Sequence, residues 1–505
     1  MNLHKALYEW FGYSEFRMGQ EEIIQSLLEG KDVLAMLPTG TGKSICYQLP
    51  ALMSDGLTLV ISPLLSLMQD QVQELKSNGI KRVAALNSMT QSDERDEIFN
   101  QLDRYQLLYL SPEMLQSDWV IARINRVKVT YIVVDEAHCI SHWGKSFRTD
   151  YRKLAPVRKK LGNPPCLAIT ATATKLVQID IIQQLELQSV ETYLYSVDRP
   201  TIAQHVQEAS SNQHKLQQLS EYVEALSGPG VIYFQTRKWA ESASDYLRQQ
   251  GHNGVSYYHG GMVHEDRLLI QQQFMSGKLQ LICCTSAFGM GVNKSDIRYV
   301  IHFQPPLDLE SYLQESGRAG RDGEKSISIV MYSHEDLMLS HSMIQKDTLD
   351  EFQLKTILTE VSRGKVLSEP EERSICAAVH CSDTAYQIVK HELENAGYVY
   401  KNDWKAFVVE EVYPLIKSKL DEHVKVMEER LQSMWKWIKT EDCKRETILH
   451  YFSEELEHKP NVCCTSCGLR IKDSFKQERL EEPSNDEALN WRDQLDLLFL
   501  KGLKQ

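Results

Sequence analysis

Seven residues, Pro38-Thr39-Gly40-Thr41-Gly42-Lys43-Ser44, follow directly on the apolar run VLAML. Their two glycines let backbone N–H groups curl around an oxyanion at the mouth of the next helix. Lys43 can reach the β and γ phosphates of a nucleotide as a point charge, and the Ser44 hydroxyl can coordinate Mg²⁺. Leu37 stands where the general loop pattern has its first glycine, so the strand-to-helix context, more than the glycine count, marks a phosphate site. At the end of the run YIVV come Asp135-Glu136-Ala137-His138. Two adjacent carboxylates leaving a strand end can divide the chemistry, with Asp135 on Mg²⁺ and Glu136 positioning the water that attacks a γ-phosphate. Later, the string QESGRAGRDG sets Arg318 and Arg321 three residues apart, a spacing that predicts one face of a helix. Arginines from a second lobe would complete the site as the lobes close, Arg321 as the finger and Arg318 beside it.

A second cluster has softer ligands. Cys443, Cys463, Cys464 and Cys467 offer four thiolates that suit tetrahedral Zn²⁺, although a Cys-Cys-x-x-Cys string is less regular than paired CxxC and leaves free thiols as the alternative. Cys376, Cys381 and the Cys283-Cys284 pair read as buried small hydrophobes.

The elements that must carry these residues are written in short apolar runs of strand length. VLAMLP, LTLVISP, QLLYLSP, YIVVDEAH and CLAIT alternate with polar, helix-compatible segments, and GVIYFQT, LQLICCTS, YVIHF and ISIVMY repeat the pattern. Such alternation predicts an α/β chain with two parallel sheets. Polar sequence with Asp198-Arg199-Pro200 and Ser227-Gly228-Pro229-Gly230 as breakers puts the boundary between them near residue 200. Past residue 345 helices dominate. Between 350 and 410 the order is three helices and then a hairpin at YVYKNDWKAFVV, the third helix starting behind Ser382-Asp383 and stopping at Gly397. Two readings stay open there: a winged helix with Thr384 to Asn395 as recognition helix and Lys401 to Lys405 as wing tip, or ordinary helical packing. Residues 410–439, including Trp435 and Trp437, read as a long packing helix.

Composition bounds the rest. The chain has 505 residues, 56 Lys plus Arg against 69 Asp plus Glu, and eleven cysteines. That length exceeds one ordinary core, and the acidic balance confines any nucleic-acid contact to a local groove. No apolar stretch approaches the roughly 18 to 20 residues of a membrane span. The start MNLHKALYEWFGYS has no signal-peptide pattern, and the reading is an intracellular, reduced protein.

In this order the motifs resemble the RecQ family of superfamily 2 helicases along about residues 5–335 and again over 443–467. The resemblance implies two tandem RecA-like lobes, a mostly helical C-terminal region and a zinc module, with ATP, Mg²⁺ and a structural Zn²⁺. It divides the chain into 1–200 (ATP-binding lobe), 201–345 (second lobe), 346–410 (winged-helix candidate), 411–475 (zinc module) and 476–505 (tail). FGYSEFRMGQEEII is similar to the family's adenine-reading segment, implying that Gln20 bonds the base and Arg17 supports it; Thr39, Gly40, Thr41, Gly42 and Gln314 join the ATP-binding set. VISPLLSLMQDQV and LLYLSPEML resemble the family's next two motifs and AITATA the segment that links the nucleotide site to the nucleic-acid groove; Ser62, Pro63, Ser111, Thr170 and Thr172 are the positions this implies, with Ser62 as a DNA-binding candidate. CTSAFGMGVNKSDI implies that Thr285, Gly289, Gly291, Asn293 and Lys294 track the strand. CISHWGKSFRTDY matches the aromatic-rich loop at Trp143, Gly144, Phe147 and Arg148, whose rings would stack on exposed bases. CKRETILHYFSEEL is similar to the Cys-Arg-Arg helix of the family's zinc module, which favours bound zinc over free thiols. The implied activity is ATP-dependent 3′ to 5′ translocation on single-stranded DNA and unwinding of duplex or forked DNA in repair, recombination or replication. A monomeric motor in the cytoplasm, at the nucleoid, goes with that activity, and single-stranded-DNA-binding or repair proteins are candidate partners. The rival of a different class is a DNA-stimulated ATPase switch or remodeller without processive unwinding; the AFGMG and aromatic-loop strings disfavour an RNA helicase.

Departures from the family fall in three places. His142, Lys145 and Ser146 replace its usual Gln, His and Asp, removing an acid from the aromatic loop, and Lys444, Glu446 and Ser453 depart from the zinc pattern. About 120 residues separate Gly323 from Cys443. Only 38 residues follow Cys467, too few for the usual winged helix and terminal helical domain.

Overall fold

The computed structural model describes residues 2–63, 65–87, 90–141, 149–289, 294–346, 348–364, 367–400 and 403–475. Seven strands form the first sheet: β1 (Val33–Met36), β2 (Leu57–Ile61), β3 (Val83–Leu86), β4 (Leu107–Leu110), β5 (Val129–Asp135), β6 (Cys166–Thr170) and β7 (Glu191–Leu194). Their spatial order is β3-β4-β2-β5-β6-β1-β7, and every pairing is parallel. The central strands β1, β2, β4 and β6 are buried at every position, as expected where crossover helices cover both faces of a parallel sheet. The second sheet has β8 (Ile202–Glu208), β9 (Gly230–Tyr233), β10 (Val255–Tyr258), β11 (Leu281–Cys284), β12 (Tyr299–His302) and β13 (Ser326–Tyr332), in the order β10-β11-β9-β12-β13-β8, again all parallel.

The sequence runs account for nine of these thirteen strands. β3, β7, β8 and β10 are additional: β7 (ETYL) and the second half of β8 (IAQHVQE) are edge positions with polar residues and partial exposure, so no continuous apolar run announces them. The polar stretch near residue 200 therefore contains the last strand of one sheet and the first of the next, with Tyr195 to Thr201 as the link.

Behind the second sheet come three helices, Glu351–Val361, Glu369–Val379 and Asp383–Asn395, and the antiparallel hairpin of β14 (Val399–Tyr400) and β15 (Asp403–Trp404). Helix Asp383–Asn395 is capped by the Ser382 hydroxyl, which accepts from Ala385 N at 3.0 Å, and Gly397 supplies the positive φ of +81° behind it. These elements share an apolar core with Val412, Ile416 and Leu420 of the long helix Val409–Lys439. On its outer side helix Asp383–Asn395 meets the first lobe, where Glu394 pairs with Lys153 at 2.9 Å across a cleft of ≈ 1080 Å³. Of the wing-tip candidate Lys401 to Lys405, Lys401 and Asn402 lie outside the described residues, Asp403 and Trp404 form β15 with Trp404 buried, and Lys405 N donates to Tyr398 O at 2.8 Å.

The long helix is a packing element. Trp437 is fully buried against Tyr312, ring centroids 4.6 Å apart, and its indole N–H donates to Lys444 O at 2.9 Å. The buried Lys444 ammonium closes the helix by donating to the carbonyls of Trp437, Ile438 and Thr440 at 3.0, 2.8 and 2.5 Å, a cation on C-terminal acceptors. One continuous apolar cluster joins Ala173 and Val197 to Leu309, Tyr312, Trp437, Ile448 and Leu449. The lobes and the C-terminal helices thus meet in a shared core. Among the described residues no helix is long and apolar enough to cross a membrane.

Candidate nucleotide site and zinc module

The phosphate loop leaves the carboxyl end of β1 and opens helix Ile45–Met53, and the carboxylate pair leaves the carboxyl end of β5, the rim where open parallel sheets bind ligands. Gly40 and Gly42 have φ of +87° and +79°, conformations that make this curl. Both are hemmed in: a Cβ on Gly40 would lie 2.9 Å from Arg321 Cγ, and one on Gly42 would lie 3.0 Å from Gln20 Nε2. A cleft of ≈ 470 Å³ collects Lys43, Ser44, Asp135 and Glu136 from the first lobe with Gln314, Arg318 and Arg321 from the second. Arg17, Gln20, Thr39, Gly40 and Gly42 line it too. Thr41 does not; its hydroxyl donates to Pro38 O at 2.8 Å and holds the loop.

Gln20 and Arg17 sit on the phosphate loop itself. The Gln20 amide donates to Thr41 O (2.9 Å) and Gly42 O (3.0 Å), its Oε1 accepts from Arg17 N (2.9 Å), and Arg17 Nη1 donates to Gly40 O (2.7 Å). The segment thus contacts the carbonyls of the phosphate loop directly.

Glu136 has a φ of +49°, rare for a residue with a Cβ, and this bend separates it from its neighbour at the strand end. Asp135 Oδ1 accepts from Glu136 N at 3.0 Å, and Tyr151 OH donates to Asp135 O at 3.1 Å. A Glu136 carboxylate oxygen stands 3.3 Å from His138 Nδ1, and the same nitrogen is 2.9 Å from Thr170 Oγ1 at the end of β6. Burial, and then the Glu136 charge, push Asp135 up to about 7. A buried Asp135 beside a partly exposed Glu136, opposed by Lys43, fits a divalent cation, with Asp135 and Ser44 as the residues that would hold Mg²⁺.

The arginines are not on a helix face. Helix Leu309–Ser316 ends before them, and Gly317 to Gly323 continue as turns with φ of +56° at Gly320. The glycines on either side of each arginine stop the helix, so proximity to the cleft comes from turn geometry instead of the three-residue period. Arg318 donates to Gly289 O. Burial, followed by the Arg318 and Arg199 cations, pulls Arg321 down to about 9. Like charges gathered in a poorly solvated seam favour a polyanion between them.

Arg199 was legible only as part of a breaker. Its guanidinium donates to Thr39 O (2.7 Å) and Gly317 O (3.1 Å) through Nη1, and to Ala319 O (3.2 Å) and Gly320 O (2.7 Å) through Nη2. Nothing local in Asp-Arg-Pro signals this, because the acceptors lie on two distant loops.

The DNA-binding candidates Ser62 and Thr285, and the motif positions Ser111 and Thr170, follow or end β2, β11, β4 and β6, on the carboxyl rims of their sheets. Ser62, Ser111 and Thr170 are buried and Thr285 is partly exposed. Lys294 is buried, pairs with Asp296 at 3.0 Å and lies over the Phe274 ring. Trp143, Phe147 and Arg148, with the rest of 142–148, and Asn293 with Gly291 lie outside the described residues.

The four cysteines converge. Their sulfurs all lie within 4.8 Å of one another, with Cys443–Cys463 at 3.6 Å, Cys464–Cys467 at 3.4 Å and Cys443–Cys464 at 3.9 Å. Tetrahedral zinc with Zn–S near 2.3 Å requires sulfurs about 3.8 Å apart, so the donor set fits. Cys443 precedes helix Lys444–Tyr451, and the turn Thr465–Cys467 closes at Gly468, φ +85°. The turn continues the second sheet beyond edge strand β8: Gln204 N donates to Cys463 O at 3.0 Å, and Val206 N to Thr465 Oγ1 at 2.8 Å.

Comparison with known proteins agrees with this geometry. Family models match for DEAD/DEAH box helicase over residues 17–179, helicase conserved C-terminal domain over 214–323 and RecQ zinc-binding over 406–469. The probable ATP-dependent DNA helicase RecS of Bacillus subtilis is 40% identical over 499 residues, 98% of either chain. ATP-dependent DNA helicase RecQ of Haemophilus influenzae is 40% identical over 369 residues, 72% of this chain and 58% of that one. Among solved structures, helicase MrfA bound to DNA superposes with a TM-score of 0.57 at 19% identity, covering 68% of this chain and 50% of that one. Mycobacterium smegmatis helicase Lhr bound to single-stranded DNA and AMP-PNP gives 0.55 at 19%, covering 76% and 56%; at such identities the likeness is one of fold. The thirteen strands in two parallel sheets, the shared cleft and the four-cysteine module have one common explanation, and the relative matched from end to end supplies it: the chain belongs to the RecQ family of helicases.

Proposed function

We propose that the protein is an ATP-dependent DNA helicase that couples ATP hydrolysis to 3′ to 5′ movement on single-stranded DNA and unwinds duplex or forked DNA in repair, recombination or replication. The observation that carries this reading is the single cleft in which Lys43 and the carboxylate pair of one lobe face Arg318 and Arg321 of the other. Lys43 and the loop N–H groups bind the phosphates, Glu136 accepts a proton from the attacking water, and Arg321 meets the charge that develops on the γ-phosphoryl group. Bound Mg²⁺, held through Asp135 and Ser44, would neutralise phosphate charge. Glu136, His138 and Thr170 form a path of close polar contacts from the cleft to the rim of β6, which supports coupling of hydrolysis to strand binding through Ser62, Thr285 and Lys294, with Trp143, Phe147, Arg148 and Asn293 as further contacts. The helices and hairpin of residues 346–410 hold duplex DNA or part its strands.

Forked DNA and tailed duplexes of either polarity, incubated with ATP, test this directly. Displacement from the 3′-tailed substrate is expected. Hydrolysis with no displaced strand would identify a DNA-stimulated switch instead. Removing residues 350–410 should leave ATPase activity and abolish unwinding; unchanged unwinding would sink the role given to that module.

A further inference from the structure

The link between the two sheets is gripped from both sides. In front, the Arg199 guanidinium spans four backbone carbonyls, one on the phosphate loop and three on the segment that carries Arg318 and Arg321. Thr39 Oγ1 adds a bond to Gly317 O at 3.0 Å, and a Cβ on Gly317 would strike that hydroxyl. Separation of the two loops is thus fixed closely at this point, by a planar fork whose several donors diverge toward acceptors on both lobes.

Behind the link stands the zinc module. Arg445, two residues past Cys443 and fully buried, donates to Arg199 O at 3.1 Å, to Ile202 O at 2.6 Å and to the Asp198 carboxylate. Glu454 accepts from Ser196 Oγ at 2.5 Å and from Val197 N at 3.2 Å. The cysteine turn bonds Gln204 and Val206 on the far side. Residues 196 to 206 therefore have backbone or side-chain bonds to the zinc module on both flanks of Arg199. A cavity of only ≈ 30 Å³ remains where Thr39, Arg199, Gly317 and Arg445 meet, room for about one water.

We propose that Arg199 is a positioning residue for ATP hydrolysis and that the zinc module sets it: the four-cysteine site fixes Arg445, Arg445 fixes the link, and Arg199 then holds Arg321 at its working distance from the phosphate loop. This rests on the functional reading above. Zinc here organises more than its own turn, because its ligand Cys443 caps the helix that delivers Arg445. Among the described residues the Arg199 guanidinium bonds these loops through their carbonyls and it acts through Arg321, so losing it misplaces a catalytic group and leaves the phosphate-binding N–H groups in position. A lysine would not replace it, since one ammonium cannot span acceptors on both lobes.

Four full-length variants test this: Arg199→Ala, Arg199→Lys, Arg445→Ala and the Arg199→Ala/Arg445→Ala double. Each is assayed for DNA-stimulated ATP turnover, affinity for a fluorescent ADP analogue, zinc content, circular dichroism and radius of gyration by small-angle scattering without nucleotide. Each single variant should lose kcat by about a hundred-fold, the cost of a misplacement near 1 Å. Affinity for the ADP analogue, the helical signal and, in the Arg199 variants, one zinc per chain should persist, and the radius of gyration should rise as the lobes separate. The double variant should be no slower than either single one. Wild-type turnover in Arg199→Lys, a further comparable loss in the double variant, or unchanged scattering in both alanine variants would overturn the proposal. A wild-type chain that hydrolyses no ATP would remove the functional reading instead, and scattering would still decide whether Arg199 and Arg445 tie the lobes.

Discussion

Replacing Glu136 by Gln removes one proton acceptor. The two side chains have nearly the same volume, and the amide can keep contact with His138 Nδ1, now 3.3 Å from the carboxylate. Asp135 retains its bond from residue 136 N and the Tyr151 bond to its carbonyl. Ground-state binding of nucleotide should therefore survive while the attacking water loses its acceptor. General-base assistance is worth roughly 10²- to 10⁴-fold, or about 3 to 5 kcal/mol of barrier. The expected result is a fall of that size in kcat with KM for ATP close to wild type, the pattern of an interaction made only in the transition state. Steady-state ATPase measurement with saturating single-stranded DNA, paired with titration of a fluorescent ADP analogue, reads both quantities. Turnover within ten-fold of wild type, or loss of nucleotide binding at full zinc content, would refute the role given to Glu136.

Three further outcomes follow from packing and charge. Burial, and then repulsion from Asp308, push Glu310 up to about 7, with Tyr451 OH donating to it at 2.9 Å. A carboxyl raised on folding is protonated in both states below about pH 4, costs progressively more as pH rises and carries its full penalty above 7. Glu310→Gln should thus stabilise the protein at pH 8, by at most about 3 kcal/mol, and have little effect near pH 4, as read from urea unfolding at the two pH values. Trp437→Ala deletes a fully buried ring on Tyr312 and the bond to Lys444 O, and should cost about 3 to 5 kcal/mol in the same assay. Stripping zinc with a chelator, or Cys464→Ser, should lower the melting temperature and metal content together, and an unchanged melting temperature would separate the four thiols from the fold.

What could be read from the sequence, and what could not, divides along one physical line. The loop at 38–44, the pair at 135–136 and the cysteines at 443–467 are contiguous or nearly so, and their chemistry depends on residue type and on the element just before them. Buried parallel strands such as LTLVI announce themselves because both faces are covered, whereas edge strands β7 and β8 mix polar and apolar residues and carry no comparable signal. The helical period misled at Arg318 and Arg321, since Gly317 and Gly320 end the helix that the spacing alone suggests. Arg199 escaped for a different reason: among the described residues its guanidinium bonds backbone carbonyls, which leave no complementary residue type to notice.

That same property makes the junction informative about how the motor is assembled. Two RecA-like lobes joined by a short link could pivot freely, and a freely pivoting second lobe would present Arg321 to the phosphates only part of the time. Here the link runs between the cysteine turn and the helix that follows Cys443, and Arg445 and Glu454 bond it at Asp198, Arg199, Ser196 and Val197. Lobe movement must then occur against a fixed pivot, with Arg199 on one side of it and zinc on the other. A metal site about 400 residues from the phosphate loop in sequence is in this way part of the geometry of hydrolysis, and mutations in it should change catalytic rate even where the nucleotide is still bound.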